Sequence, residues 1–138
     1  MAHRYCSDVL PANFTLRRHG SLLLCKAIVT GPRGAHDATL LLDTGSNHTV
    51  VTYEILEKVG CSAAMSRAHI RITTGNGVVV APRVRTQALT IFDHKMEDAN
   101  VVAHDLPFSG PIDGLLGMDV LVALRARIDI GAATIEIE

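Results

Sequence analysis

The sequence predicts a mostly β, single-domain protein with two short helices. Strand-length apolar runs recur along the 138 residues, most of them closed by glycine, proline or polar residues. Glycine and β-branched residues are plentiful, while long helical periodicity is scarce. Hydrophobic residues make up 48% of the chain, enough for one packed interior at this length.

Taken in order, residues 1–20 read as an N-terminal extension and residues 21–138 as one domain. Residues 21–30 (SLLLCKAIVT) form a strand stopped by Gly31-Pro32. Residues 38–43 are a buried strand running into Asp43, and residues 49–52 continue as a short strand. A helix follows, with Thr52 at its N-cap, Glu54 in the first turn, Ile55, Leu56 and Val59 on one face, and Gly60 as its stop. Residues 69–73 and 78–86 read as a hairpin through Gly75-Asn76-Gly77. Residues 87–92 and 99–103 read as a second strand pair, joined by the polar segment Asp93 to Asp98. A second short helix is expected after Gly117, and strands 126–130 and 134–138 turn at Gly131-Ala132.

Composition narrows the function. The chain contains no run of about 18 apolar residues, so no membrane span is expected. The N-terminus MAHRYCSDVLPANFTLRRHG lacks the apolar stretch of a secretion signal. The formal charge is −1 and the basic residues are scattered, which argues against a nucleic-acid surface. Cys6, Cys25 and Cys61 are an odd, widely spaced set, read as reduced thiols of a cytoplasmic protein. The seven histidines form no HxH or HExxH pattern, so neither a metal nor another cofactor is expected.

Two segments carry chemistry. In LLLDTGSNHTVV, residues 40–51, an apolar strand delivers a carboxylate to a sharp turn. Burying a charge is costly unless it is held, so Asp43 either closes an Asx-turn or performs a reaction. Gly45 permits the turn, and Thr44 and Ser46 bring hydroxyls near the carboxylate. In IDGLLGMDVL, residues 112–121, an apolar run again ends at glycine ahead of a helix, an echo of ATLLLDTG that a two-half architecture would produce. Leu115-Leu116-Gly117 suits a buried strand threading beside the Asp43 loop.

LLDTGS followed by GLLGMDVL resembles the retropepsin-type aspartic proteases, the single-domain relatives of pepsin, with a cellular rather than viral look. The likeness covers roughly residues 20 to 138, including TTGNGV at the place of the family's flap and RIDIGAATIEI at its closing strands. It implies an all-β, closed barrel-type acid protease fold with one or two short helices, equivalent to one half of a bilobal pepsin. It further implies an endopeptidase with two carboxylates about 3 Å apart sharing one proton, because like charges that close cannot both ionise. With one DTG per chain, two copies of Asp43 would have to meet across a two-fold axis, so a homodimer is expected to be required for activity.

On this reading Asp43, Thr44, Gly45 and Ser46 form the catalytic loop, Thr44 bracing its partner copy and Ser46 bonding a carboxylate oxygen. Thr74, Gly75, Asn76, Gly77, Val78 and Ile112 would contact an extended peptide, and Leu115, Leu116 and Gly117 would support the loop. Val80 is a further flap candidate, although strand packing explains both valines equally well. Best activity is expected at acidic to mildly acidic pH.

Retroviral members carry acids after the DTG-Ala/Ser and an Arg after the second motif. Asn47, His48 and Met118 stand there, so viral dimer contacts and preferences do not transfer. Asp113, in Asp-Gly-Leu, lacks the Thr/Ser-Gly of a second catalytic turn, and Asp119 is read as a helix cap. A non-catalytic peptide- or protein-binding module is the alternative, opposed by the intact DTGS. A phosphate loop at Gly75-Asn76-Gly77 needs a helix just after it, where Val78-Val79-Val80 reads as strand.

Overall fold

A computed structural model describes residues 10–74, 77–106 and 110–138. The strands are β1 (Ala12–Thr15), β2 (Arg17–His19), β3 (Leu22–Gly31), β4 (Gly34–Leu42), β5 (Val50–Val51), β6 (Ala68–Thr74), β7 (Gly77–Arg85), β8 (Ala88–Ile91), β9 (His94–Glu97), β10 (Asn100–Ala103), β11 (Gly114–Leu116), β12 (Arg127–Asp129) and β13 (Thr134–Ile137). Helix α1 spans Tyr53–Lys58 and α2 spans Met118–Ala123, with one 3-10 turn at Ala63–Met65. This is the all-β fold with two short helices that the sequence predicts.

The main sheet runs β6-β7-β10-β5-β11-β4-β3-β8-β9, with β2 added alongside β3, while β1-β13-β12 form a smaller sheet. Residues 12–19, within the expected extension, thus supply two strands, and Leu16 enters the core. The principal core gathers Leu40, Leu56, Leu89, Ile91, Leu116, Ile135 and Ile137. A satellite of Val50, Ala81 and Val102 lies under the hairpin of β6 and β7, with Ile70, Ile72, Leu106 and Leu115 packed on it.

The central order determines the site. β4 and β5 are consecutive in sequence but not neighbours, because β11 lies between them, parallel to β4 and antiparallel to β5. The loop from Asp43 to Thr49 must therefore cross the end of β11. A Cβ on Gly114 would lie 2.0 Å from the Val50 carbonyl oxygen, so only glycine lets β11 enter this slot.

One expected pairing is wrong. β8 pairs with β9, formed by the segment read as a polar connection, while β10 pairs with β7 and, in parallel, with β5. The turn is Phe92-Asp93, with φ of 50° and 62°. Two positive φ values close a two-residue hairpin, usually with Asn or Gly, and this turn does it without glycine. The cap of α1 also differs. Thr52 occupies the N-cap without a side-chain bond, and the Asp105 carboxylate accepts the Tyr53 N–H at 3.3 Å.

Candidate active site

Asp43 stands half-buried immediately after β4. Its backbone N–H donates to the Leu116 carbonyl at 3.0 Å, extending the β4–β11 ladder to the last residue before the turn. Its carboxylate Oδ1 accepts the Gly45 N–H at 2.9 Å, and its carbonyl accepts the Ser46 N–H at 3.2 Å. The Asx-turn and the presented carboxylate are thus one structure. The turn orients the side chain and leaves Oδ2 for other partners. Thr44 is exposed at the apex. The Ser46 hydroxyl donates to the His48 carbonyl at 2.7 Å rather than to the Asp43 carboxylate, because its single proton closes the next turn of the loop.

The far side of the loop is held from beneath. Met118 N–H donates to the Ser46 carbonyl at 2.8 Å and Asp119 N–H to the Asn47 carbonyl at 3.3 Å. These amides open α2, whose first N–H groups lack intrahelical partners and are free to bind the loop. Gly117 approaches so closely that a Cβ would lie 2.5 Å from the His48 carbonyl.

Sequence reasoning missed the polar clamp at this point. Thr49 has 0% exposure. Its hydroxyl donates to Asp119 Oδ1 at 2.7 Å and accepts the Gly117 N–H at 3.1 Å, while its own N–H donates to Asp119 Oδ2 at 3.1 Å. Asp119 Oδ1 also accepts the Val120 N–H at 2.8 Å. Asp119 therefore binds the loop to the helix start. A buried threonine after DTGS, together with an acid two residues past LLG, was the available signal.

Asp113 is a structural bridge. Its Oδ2 accepts the Thr39 N–H at 2.9 Å, and its backbone joins Thr39 and Thr52. Thr39 lies four residues before Asp43 on an extended strand, a separation of about 13 Å. The Asp113 carboxylate is thus too far away to be the acid beside Asp43.

The hairpin of β6 and β7 brings Thr74 opposite Gly77, with Gly75 and Asn76 outside the described residues. Ile72 faces Val79 and Ile70 faces Ala81, on the side that packs over Val50, Val102 and Leu115. Val78 and Val80 occupy the alternate face, 56% and 66% exposed. Ile112 is half-buried just before β11. His48 and Asp119 line the near end of a pocket of about 300 Å³, with Ile70, Arg83 and Asn100 on its other sides. Burial pushes the Cys25 thiol up to about 12 and also raises that of Cys61, so neither is a ready nucleophile. Among the described residues no group of His, Cys, Asp or Glu could hold a metal ion, and no helix is long and apolar enough to cross a membrane.

Comparison with known proteins agrees with this geometry. DNA damage-inducible protein 1 of Kluyveromyces lactis is 25% identical over 128 residues, covering 92% of this chain. The chain spans only 28% of that relative's length. A retropepsin-like aspartic protease from Rickettsia conorii superposes with a TM-score of 0.67 at 17% identity, over 93% of this chain and 91% of that one. The EIAV protease, solved with the inhibitor HBY-793, gives 0.55 at 16% identity, over 77% and 90%. These two structures show a shared retropepsin-like fold. Residues 27–120, more than half of the chain, match the aspartyl protease family, and the chain belongs to that family.

Proposed function

We propose that the protein is an aspartic endopeptidase whose active centre is completed by a second copy of the chain. The observation that carries this reading is Asp43 itself. Its carboxylate is presented by a turn fixed on both sides, with a Gly45 N–H on one oxygen. The two carboxylates of the second motif, Asp113 and Asp119, are bound to backbone and threonine. A two-fold dimer supplies the missing carboxylate as the partner copy's Asp43.

In such a dyad one carboxylate takes a proton from water as it attacks the scissile carbonyl, and the protonated one donates to the carbonyl oxygen. Collapse of the tetrahedral intermediate returns a proton to the leaving amine. A peptide lies extended beneath the hairpins, where Ile72 and Val79 are the inward flap side chains, with Ile112 near the floor. Thr44, exposed at the loop apex, braces its counterpart in the partner copy on this reading.

Wild type and Asp43→Asn are to be incubated with a mixed peptide library from about pH 3 to 7, over which carboxylates titrate. Cleavage is read by mass spectrometry and mass in solution is measured for both. A cutting dimer and an equally dimeric, inactive mutant support the reading. Folded, dimeric wild type that cuts nothing at any pH sinks it in favour of a binding module.

A further inference from the structure

A second cavity continues from the pocket beside the active loop. It is an open groove of about 710 Å³ between the segment 61–68 and strands β7 and β10. Arg67, Arg83 and Arg85 line it, and Arg83 and Asn100 belong to both cavities, so the two adjoin. The register explains the cluster. Arg83 and Arg85 are two residues apart on β7 and share a face, with Arg85 opposite Asn100 and Arg83 opposite both Val102 and Ala68. The Ser66 hydroxyl bonds the Arg83 carbonyl, fixing the segment that carries Arg67 against this strand.

The charge balance is one-sided. Arg85 pairs with Asp98 at 3.2 Å, whereas Arg67 and Arg83 make no ion pair among the described residues. Asp119, at the active-loop end, has both carboxylate oxygens engaged by Thr49. Two exposed guanidiniums therefore face a groove without a partner anion. The lining holds no aromatic side chain on which a base could stack, which disfavours single-stranded nucleic acid. Guanidinium groups bind carboxylates through paired, charge-assisted hydrogen bonds.

We infer that the Arg67–Arg83–Arg85 groove is an accessory subsite that captures an acidic segment of the polypeptide substrate, beyond the residues lying at the dyad. This rests on the peptidase reading for the identity of the ligand as a substrate. It gives the chain a preference for where a substrate is cut relative to its acidic residues, without contact between those residues and Asp43.

The test uses the Asp43→Asn protein, which holds peptide without turnover, and fluorescence anisotropy. Peptides share one cleavable core and carry a Glu-rich or a Gln-rich extension at either end. The Glu-extended peptide at one end is expected to bind about tenfold more tightly, the effect of roughly one charge-assisted hydrogen bond, with the advantage falling at high salt. Arg67→Gln with Arg83→Gln should erase the difference. Arg67→Glu with Arg83→Glu should instead favour a Lys-extended peptide, an outcome that misfolding cannot imitate. Equal binding of Glu and Gln peptides at both ends, a preference that survives the double substitutions, or tighter binding of a single-stranded oligonucleotide overturns the assignment. Because binding is read without catalysis, absence of cleavage by wild type would count against the peptidase reading alone.

Discussion

The active loop and the hairpin of β6 and β7 both line the pocket of about 300 Å³ but are secured in different ways. The loop, residues 43–49, is tied at both ends and through its middle. Leu116 receives the Asp43 amide, Met118 and Asp119 donate to Ser46 and Asn47, and the Thr49–Asp119 pair closes the far side. Among the described residues, the hairpin pairs with the rest of the sheet only where residues 83–85 of β7 meet β10. Beyond that, β6 and β7 pair with each other out to Thr74 and Gly77, with a few apolar side chains resting on Val50 and Val102. A two-stranded ribbon is marginally stable by itself, so its opening costs little, while displacement of the loop breaks several hydrogen bonds together. On the proposed reading, rigidity is concentrated where a carboxylate is aimed, and freedom where a peptide enters.

The largest expected effect is on the rigid side. Gly117→Ala places a methyl 2.5 Å from the His48 carbonyl, with backbone on both sides of the contact. Neither β11 nor the loop has room to yield, and the variant should lose about 3 kcal/mol or more, at the upper end for overpacking. Urea unfolding measures this. A loss under about 1 kcal/mol would mean that the loop relaxes easily and is not the fixed element described.

Thr49→Val comes next. It keeps shape but removes the hydroxyl that serves both Asp119 and the Gly117 N–H. Leaving buried groups unsatisfied costs about 1–3 kcal/mol each, so a loss near 2 kcal/mol is expected, with Thr49→Ser retaining most of the stability. Native-state hydrogen exchange sharpens the same contrast. The Gly117 amide should exchange far faster in Thr49→Val, while amides of the hairpin ladder should be unchanged. Equal acceleration in both regions would show that loop and hairpin open as one unit.

This clamp also marks what the sequence disclosed and what it did not. LLLDTGS and GLLG are contiguous patterns, and their apolar runs, sharp turn and following helix are decided within a few residues. The strands on either side of the Asp43 turn, the β6–β7 hairpin and both helices were therefore legible, whereas β1, β2 and β9 fall in segments read as an extension and a polar connection. Thr49 and Asp119 are 70 residues apart, and their bond exists only because β11 is inserted between β4 and β5. No local pattern encodes that. The β8–β9 hairpin was missed for a different reason. Its turn uses positive φ at Phe92 and Asp93, and its second strand, His94–Glu97, has only half-buried His and Met alternating with exposed Lys and Glu. Asp113, whose Asp-Gly-Leu lacks the Thr/Ser-Gly of a catalytic turn, accepts the Thr39 amide instead, a role that no local pattern announces.

A pH-dependent effect concerns the layer behind the loop. Cys25 lies on β3 opposite Leu40 of β4, and its thiol is raised by burial to about 12. The unfolded chain loses this proton first as pH rises through 9, while the folded chain keeps it. Stability contributed by the neutral thiol is therefore complete below about pH 9 and is lost toward 12, by up to about 1.4 kcal/mol per pH unit. Cys25→Ala lowers stability at every pH through its cavity but should flatten this alkaline slope. Urea titrations at two alkaline pH values separate the constant cost from the slope, and an unchanged slope would place the titration elsewhere.

The smallest effect is expected on the outer face of the hairpin. Val78 and Val80 are more than half exposed on the side turned away from Val50 and Leu115. Val80→Thr keeps the β-branched shape and the ladder and should alter stability by no more than about 0.5 kcal/mol. Ile72→Thr, on the inward side, removes apolar contact with the satellite core and should cost more. If peptide passes beneath the hairpin, Ile72→Thr should also raise KM while Val80→Thr leaves it unchanged. The reverse order would mean that the flap presents its other face to substrate, and a turn of the hairpin about its own axis would then have to accompany binding.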